Sequence, residues 1–277
     1  MNELLLEQKL KDFMHEDLGE GDKTNDILFP DSEIATGIFV AKEDGIFSGQ
    51  LILEKGLSLL DQQVDITMWK KDGNWVKKGE TIAKVTGSKK ALLSGERVVL
   101  NLVQRMSGIA TVTNLAVSRL ENQEVKICDT RKTTPGIRML EKYAVTCGGG
   151  VNHRHGLYDA IMLKENHIAA VGSITKAVEQ VRKSIGHMVK VEVEVETEEE
   201  LKEAIKTDVD VIMLDNMEPD QIRSLLSMIP DSIKTEASGN IGLDQIKIYA
   251  ETGVDFISLG FITHSAKSLD ISFRLSR

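Results

Sequence analysis

The stretch VKVEVEVETEEELKEAIKTDVDVIMLD, residues 189–215, carries two strand patterns and the helix pattern that joins them. Along 190–196, Val191, Val193 and Val195 point one way and Glu192, Glu194 and Glu196 the other, because successive side chains of a strand alternate between its faces. Valines packed under helices leave the glutamates facing the interior of a closed sheet. Carboxylates placed there need cations or a metal as compensation. The competing reading is an edge strand with a solvated acidic face. Thr197 and Glu200 form a capping box that opens a helix. The apolar run that follows ends on Asp215.

The unit repeats on both sides. Strand patterns occur at 125–130, 160–164, 189–195, 209–215, 233–238 and 255–260. Helix patterns occur at 138–147, 173–185, 197–206, 218–229 and 242–252, and Pro219 suits the first turn of its helix. This alternation predicts a parallel sheet or barrel. Glu194 to Asp215 is 21 residues, Asp215 to Glu236 is 21 and Glu236 to Ser258 is 22, one βα unit each. Each falls at the carboxyl end of its strand, with Arg131 and Lys164 in matching places earlier. Barrels carry their catalytic groups at that end; doubly wound sheets do so only near a switch in strand order. Six strand ends bearing polar groups favour the barrel.

The first part of the chain reads differently. Residues 1–14 predict a helix with Leu5, Leu6, Lys9, Leu10 and Phe13 on its apolar stripe. Strands are expected at 35–47 and 64–70, a short helix at 51–60, and a long helix at 90–119 interrupted at Gly95 and Gly108, the latter as a kink or cap. Arg97 and Arg105 on that helix read as surface ion-pair residues. DGNWVKKGETIAKVTG at 72–87 has the spacing of a lipoyl or biotin carrier. It places no lysine on a two-residue hairpin tip, so a turn-rich β segment is expected instead. SLDISFRL at 268–275 alternates without a preceding helix and is expected to return to the first sheet. The fold class is therefore α/β: an incomplete (β/α) barrel over 113–267, with an N-terminal α+β sandwich domain over 1–112 that 268–277 completes.

Composition narrows the function. With 41% hydrophobic and 28% charged residues, the 277-residue chain has globular proportions. A net charge of −9 and only 4% aromatic residues argue against nucleic-acid and anionic-membrane partners. Cys128 and Cys147 lack metal-ligand spacing. The N-terminus is amphipathic and lacks the features of a signal peptide, no long apolar run occurs, and a cytoplasmic location is expected.

Against this acidic background, residues 129–167 hold six Lys or Arg against four Asp or Glu, a local charge of +2. Gly148-Gly149-Gly150 and Thr133-Thr134-Pro135-Gly136 lie among the charges, and glycine-rich backbone can approach and bind an anion. The expected ligand is a small polyanion.

The segments TRKTTPG at 130–136, GGGVNHRHGLYD at 148–159 and LKENH at 163–167 resemble those of quinolinate phosphoribosyltransferases. So do EDLGEGDKT at 16–24, SGERVVLNLVQRMSGIAT at 94–111, LDNM at 214–217, EASGN at 236–240 and SLGFITHS at 258–265, in the same order over nearly the whole chain. The resemblance implies an enzyme converting quinolinate and phosphoribosyl diphosphate to nicotinate mononucleotide. It implies quinolinate binding by Arg97, Arg131, His153, Arg154 and Lys164, with Arg97 reaching in from the neighbouring subunit of a homodimer, or a multiple of dimers, with shared active sites. It implies Glu194 and Asp215 at magnesium, its waters or the ribose hydroxyls, and Lys132 and Lys164 at the diphosphate. Ser238, Gly239, Gly260 and His264 are implied at the 5′-phosphate, where a helix N-terminus near 242 would help. Catalysis falls to Lys132, Lys164, Glu194 and Asp215, with Lys132 as the candidate proton donor after decarboxylation. Asn240 stands where many relatives have glycine, and Asn tolerates the left-handed backbone such a position demands. Two relatives on the same scaffold compete, a molybdenum-associated one and a nicotinate phosphoribosyltransferase; Arg131, Arg154 and Lys164 favour a dicarboxylate.

Overall fold

The computed structural model describes residues 1–30, 32–121 and 124–276. Its chain contacts define two compact units, Met1–Asn114 with Met139–Gly149 and Ser265–Arg277, and Leu115–Arg138 with Gly150–His264.

The first unit opens with α1 (Glu3–Leu18), capped by the side chain of Asn2. Its buried line is Leu6, Leu10 and Met14 at a spacing of four, whereas Leu5 is 42% exposed. The expected stripe was thus one residue off at its start. α2 (Lys23–Leu28) was not anticipated: six residues are too few to show a period. Its signal is Asp22, whose carboxylate accepts the Thr24 and Asn25 N–H groups. β1 (Ile34–Ala41) stops before Glu43-Asp44, and β2 (Gly45–Ile46) is a separate element, so the strand expected over 35–47 is two. There follow α3 (Gln50–Ser58), β3 (Asp65–Met68), β4 (Trp75–Val76) and β5 (Thr81–Ser88). β5 pairs antiparallel with β1 and β3, and β4 with β2. The carrier-like segment is therefore ordinary sheet.

α4 (Lys89–Ser118) is one continuous helix of 30 residues. Gly95 and Gly108 do not interrupt it, and Gly108 caps neither end, contrary to the interruption expected there. A Cβ on Gly108 would lie 2.0 Å from the Lys267 carbonyl oxygen, so the glycine is there to let that backbone close. Gly56 does the same between α3 and α4, where a Cβ would meet Val99 Cγ2 at 2.8 Å. Arg105 is not a surface residue pair. Its Nε and Nη2 donate at 3.0 and 2.8 Å to Oε1 of the fully buried Glu141, and Nη1 donates to the Ala266 carbonyl at 2.7 Å. Glu141 belongs to α5 (Arg138–Cys147), which clusters with this unit although it falls inside the range read as barrel.

The second unit is a six-stranded parallel sheet of β6 (Lys126–Cys128), β7 (Ile161–Leu163), β8 (Val191–Val195), β9 (Val211–Asp215), β10 (Lys234–Ser238) and β11 (Phe256–Ser258). Its helices are α6 (Glu165–Val171), α7 (Ile174–Arg182), α8 (Glu198–Ala204), α9 (Pro219–Leu226), α10 (Ile246–Ala250) and α11 (Phe261–His264). The strand order is β6-β11-β10-β9-β8-β7. Consecutive strands are neighbours from β7 to β11, and the first strand, β6, sits beyond the last. That is the order of a barrel ring opened between β6 and β7. It contains no reversal of the kind a doubly wound sheet requires.

Burial fixes the faces. Val191, Val193 and Val195 are fully buried, while Glu192 is 6% exposed on the opposite side of the strand. The register aligns Glu194 with Met213, Met213 with Glu236, and Asp215 with Ser238. The last strand, β12 (Ile271–Leu275), pairs antiparallel with β1 in the first unit's four-stranded sheet, as the alternation at 268–275 predicts. Gly37 leaves room there for Phe273, whose ring stacks on Phe39 at 4.8 Å between centroids. Among the described residues no helix is long and apolar enough to cross a membrane.

Candidate active site

Every element of the site lies in the second unit, on the inner face of the sheet and in the loops beyond its carboxyl ends. The deepest layer is acidic. Asp129 is fully buried, Glu236 is 3% exposed and Glu192 is 6% exposed. His153 stands among them. Its backbone N–H donates to Asp129 Oδ1 at 2.9 Å, and Asn152 Nδ2 donates to Asp129 Oδ2 at 2.6 Å. Its Nδ1 accepts the Arg154 N–H at 2.8 Å, which leaves the ring proton on Nε2. Nε2 lies 2.9 Å from Glu192 Oε2 and 3.8 Å from Glu236 Oε1. Burial, then the neighbouring Glu192 carboxylate, push the Glu236 carboxyl well above the usual range.

Above this layer opens a cavity of about 320 Å³. Arg131, Lys132, Arg154 and Lys164 line it together with His153, Glu194, Asp215, Ser238 and Ser258. Met162 and Met213 supply apolar wall. The stretch 129–167 thus delivers its charge to one place. Arg154 Nη1 donates to the Ala160 carbonyl at 3.0 Å, which holds the guanidinium in position. Burial and then the like charge of Arg131 lower its pKa, while Glu192 and Asp159 act in the opposite sense. Lys164 Nζ bonds the Glu194 carboxylate.

A second cavity, of about 600 Å³, shares Thr130, Lys132, Asp215, Ser238 and Ser258 with the first. Its far wall contains Gly239, Asn240, Gly260 and His264. Gly239 has φ +98°, and a Cβ there would lie 2.4 Å from Asn216 Oδ1 and 2.5 Å from Asn216 N. Asn240 takes the left-handed backbone, φ +51°, as expected of an asparagine in that loop. Its Nδ2 donates to Asn216 Oδ1 at 3.3 Å, and Asn216 Nδ2 donates to Asp215 Oδ2 at 2.6 Å. The helix expected from 242 begins only at Ile246 and has five residues. The loop is therefore not a helix N-terminus, and its backbone and side chains must do any anion binding themselves. The stem of Lys132 lies over Gly260, where a Cβ would be 3.1 Å from Lys132 Cδ and 3.2 Å from His264 Nε2.

Around Glu194 and Asp215 of the first cavity's lining, carboxylate oxygens of Glu194, Glu196 and Asp215 converge within 4.8 Å of one another. Desolvation, then repulsion from Asp215 and its acidic neighbours, raises the Glu196 pKa. Such a trio attracts a hard cation with oxygen ligands.

The structure thus gathers all the residues read from the sequence except Arg97. That residue is exposed on α4 in the first unit and lines neither cavity. Glu192, Glu196 and Ser258 were read as inward-facing or strand-end residues but given no role at the site, and Met162 and Met213 were missed. The strand alternation signals Glu192 on β8 and Met213 on β9, whereas Met162 lies on β7, Ser258 ends β11 and Glu196 follows β8.

Two family models divide the chain between them. The quinolinate phosphoribosyl transferase N-terminal domain matches residues 22–107 and the C-terminal domain matches 109–274. The chain belongs to the quinolinate phosphoribosyl transferase family. A Bacillus subtilis (strain 168) protein named probable nicotinate-nucleotide pyrophosphorylase (carboxylating) is 57% identical over 272 residues, covering 98% of this chain and 94% of its own. A protein of the same name from Synechocystis is 40% identical over 277 residues, covering 99% and 94%. The crystal structure of NadC from Streptococcus pyogenes superimposes with a TM-score of 0.96 at 40% identity, covering 100% of this chain and 98% of that one. The residues lining both cavities fall in the span of the C-terminal domain, and Arg97 falls in that of the N-terminal domain.

Proposed function

We propose that this phosphoribosyl transferase joins quinolinate to phosphoribosyl diphosphate and releases carbon dioxide and diphosphate, giving nicotinate mononucleotide for NAD synthesis. One observation carries the reading: four cationic side chains meet strand-end carboxylates in one cavity, which opens onto a glycine-lined loop in the next. Quinolinate is a flat dianion. Arg131, Arg154, Lys164 and His153 hold its two carboxylates, for which paired guanidinium groups are suited, and Met162 and Met213 flank the ring. Ser238, Gly239, Gly260 and His264 hold the 5′-phosphate, and Lys132, lying over Gly260, reaches the diphosphate.

The ring nitrogen attacks the anomeric carbon as its bond to diphosphate lengthens. No protein group becomes covalent, so catalysis is positioning and electrostatics. The Glu194, Glu196 and Asp215 oxygens would hold magnesium, which would supply positive charge to the leaving diphosphate. Glu194 and Asp215 also face the ribose, where carboxylates favour developing positive charge. Once alkylated, the ring nitrogen stabilises the carbanion left by carbon dioxide.

The functional unit in this reading is a homodimer, or a multiple of dimers, in which Arg97 completes the neighbour's quinolinate site. Its compartment is the cytoplasm; plant relatives bear names that place them in chloroplasts or mitochondria. Assays of carbon dioxide and diphosphate with quinolinate beside nicotinate, with and without magnesium, test the proposal. Turnover of quinolinate that stops on chelation is the expected result. Equal or faster turnover of nicotinate would exclude quinolinate as the substrate.

A further inference from the structure

Loss of carbon dioxide leaves an electron pair on a ring carbon, and a proton must reach it. The sequence suggests Lys132 as the donor, and the buried acids beneath the cavity offer another route. Glu236 is 3% exposed. Its carboxyl is hydrogen-bonded to the Ser258 hydroxyl, which donates to it when Glu236 is ionised and accepts from it when Glu236 is protonated, and Ser258 lines both substrate cavities. On its other side, Glu236 lines a third cavity of about 160 Å³ within the same unit, shared with Glu192, His153 and Lys190. Glu236 therefore stands between two spaces, with one hydroxyl separating it from the upper one. The groups facing it are Glu192, His153, Asp129 and Ser258. Burial and Glu192 favour its protonated form, so it can hold a proton near neutrality. Lys132 also lines both cavities, but its stem lies over Gly260, where the proposed function has it reach the diphosphate.

We propose that Glu236 and Ser258 form a relay that delivers the proton to the ring carbon vacated by carbon dioxide. This rests on the decarboxylating reading of the site. The carbon–carbon bond to the departing carboxylate breaks and its electron pair stays on the ring. That pair takes the Ser258 hydroxyl proton, forming the new C–H bond. The Ser258 oxygen takes the proton from Glu236. Glu236, now a carboxylate, regains a proton from solvent through the lower cavity.

Single-turnover kinetics separate the two halves of the reaction. In the wild type, diphosphate and carbon dioxide are expected to appear together. In Glu236→Gln and in Ser258→Ala, diphosphate release should stay within about threefold of wild type while carbon dioxide release slows on the order of 100-fold, the scale of a lost general acid. An unquenched carbanion recaptures carbon dioxide, so the dicarboxylated nucleotide accumulates. A merely structural defect slows both products alike. If Glu236→Gln does not fold, Ser258→Ala decides alone. Diphosphate and carbon dioxide remaining in step in the folded variants would overturn the relay. A wild-type protein that releases no carbon dioxide from quinolinate would instead overturn the functional reading on which it rests.

Discussion

At the scale of single residues, charge placement decides what each side chain can do. Glu236 keeps a proton in the native state that the unfolded chain gives up at lower pH. Between the unfolded and the raised native pKa, the unfolded state therefore binds fewer protons, and stability falls as pH rises through that window. Glu236→Gln removes the penalty. Its melting temperature relative to wild type should climb between about pH 5 and pH 8, the range over which a carboxyl shifted upward from its usual value titrates; a difference that does not vary with pH would mean that Glu236 is ionised throughout. Asp215 offers a complementary test. It lines both cavities and is tied through Asn216 to the loop that holds Gly239 and Asn240. Asp215→Ala should weaken phosphoribosyl diphosphate binding at least tenfold and quinolinate binding much less. Calorimetry showing equal losses would make it a structural residue. Asp215 was legible in the sequence because it ends an apolar strand. Glu236 was legible only as a member of a spacing, and the spacing misled. The register puts Glu194 and Glu236 level with Met213, one step below Asp215 and Ser238. Equal intervals along the chain do not mean equal depth in a sheet whose strands end at different places.

At the scale of elements, the sequence shows what an element buries against itself but not what another segment brings to it. The βα repeat was readable because each strand records its faces locally in valine and glutamate. The unbroken course of α4 was not, since Gly108 looks like a break until Lys267 is seen against it. Likewise the phosphate loop was expected to lead straight into a helix, yet α10 begins at Ile246. Glycine at position 108 is worse than alanine for helix propensity by about 1 kcal/mol. If helix propensity decided, Gly108→Ala would stabilise the protein. The Cβ would instead lie 2.0 Å from a backbone carbonyl oxygen that no rotamer change can move away. Overpacking of this kind costs about 1–3 kcal/mol. Gly108→Ala should therefore lower the melting temperature by several degrees, at roughly 2–4 °C per kcal/mol for a chain of this size class. Gly186→Ala, where an added Cβ meets nothing within 4 Å, should leave it unchanged. A Gly108→Ala protein as stable as wild type would show that α4 and the 267 segment can separate freely.

At the scale of the whole molecule, Arg97 stands apart from the cavity that the proposed function has it complete. It is exposed on α4 in the first unit, whereas Arg131, Lys132, Arg154 and Lys164 meet in the second. In the dimeric reading, the arginine completes the quinolinate site of the neighbouring subunit. Arg97→Ala should then lose most activity with fold and dimer intact. One charge-assisted contact is worth about 1.5–3 kcal/mol, or roughly one to two orders of magnitude in substrate binding. The cross-subunit assignment has a sharper consequence. Arg97→Ala and Lys132→Ala proteins are each expected to be nearly inactive. When their subunits exchange, a mixed dimer gains one site with both defects and one with neither. Random exchange makes half of the dimers mixed, and half of their sites are intact. Mixing should therefore restore up to about a quarter of wild-type activity, by counting for a two-fold dimer. Recovery should follow the rate of exchange, read by native mass spectrometry on isotopically labelled subunits. Confirmed exchange with no returning activity would place Arg97 in its own subunit's chemistry or outside the chemistry altogether.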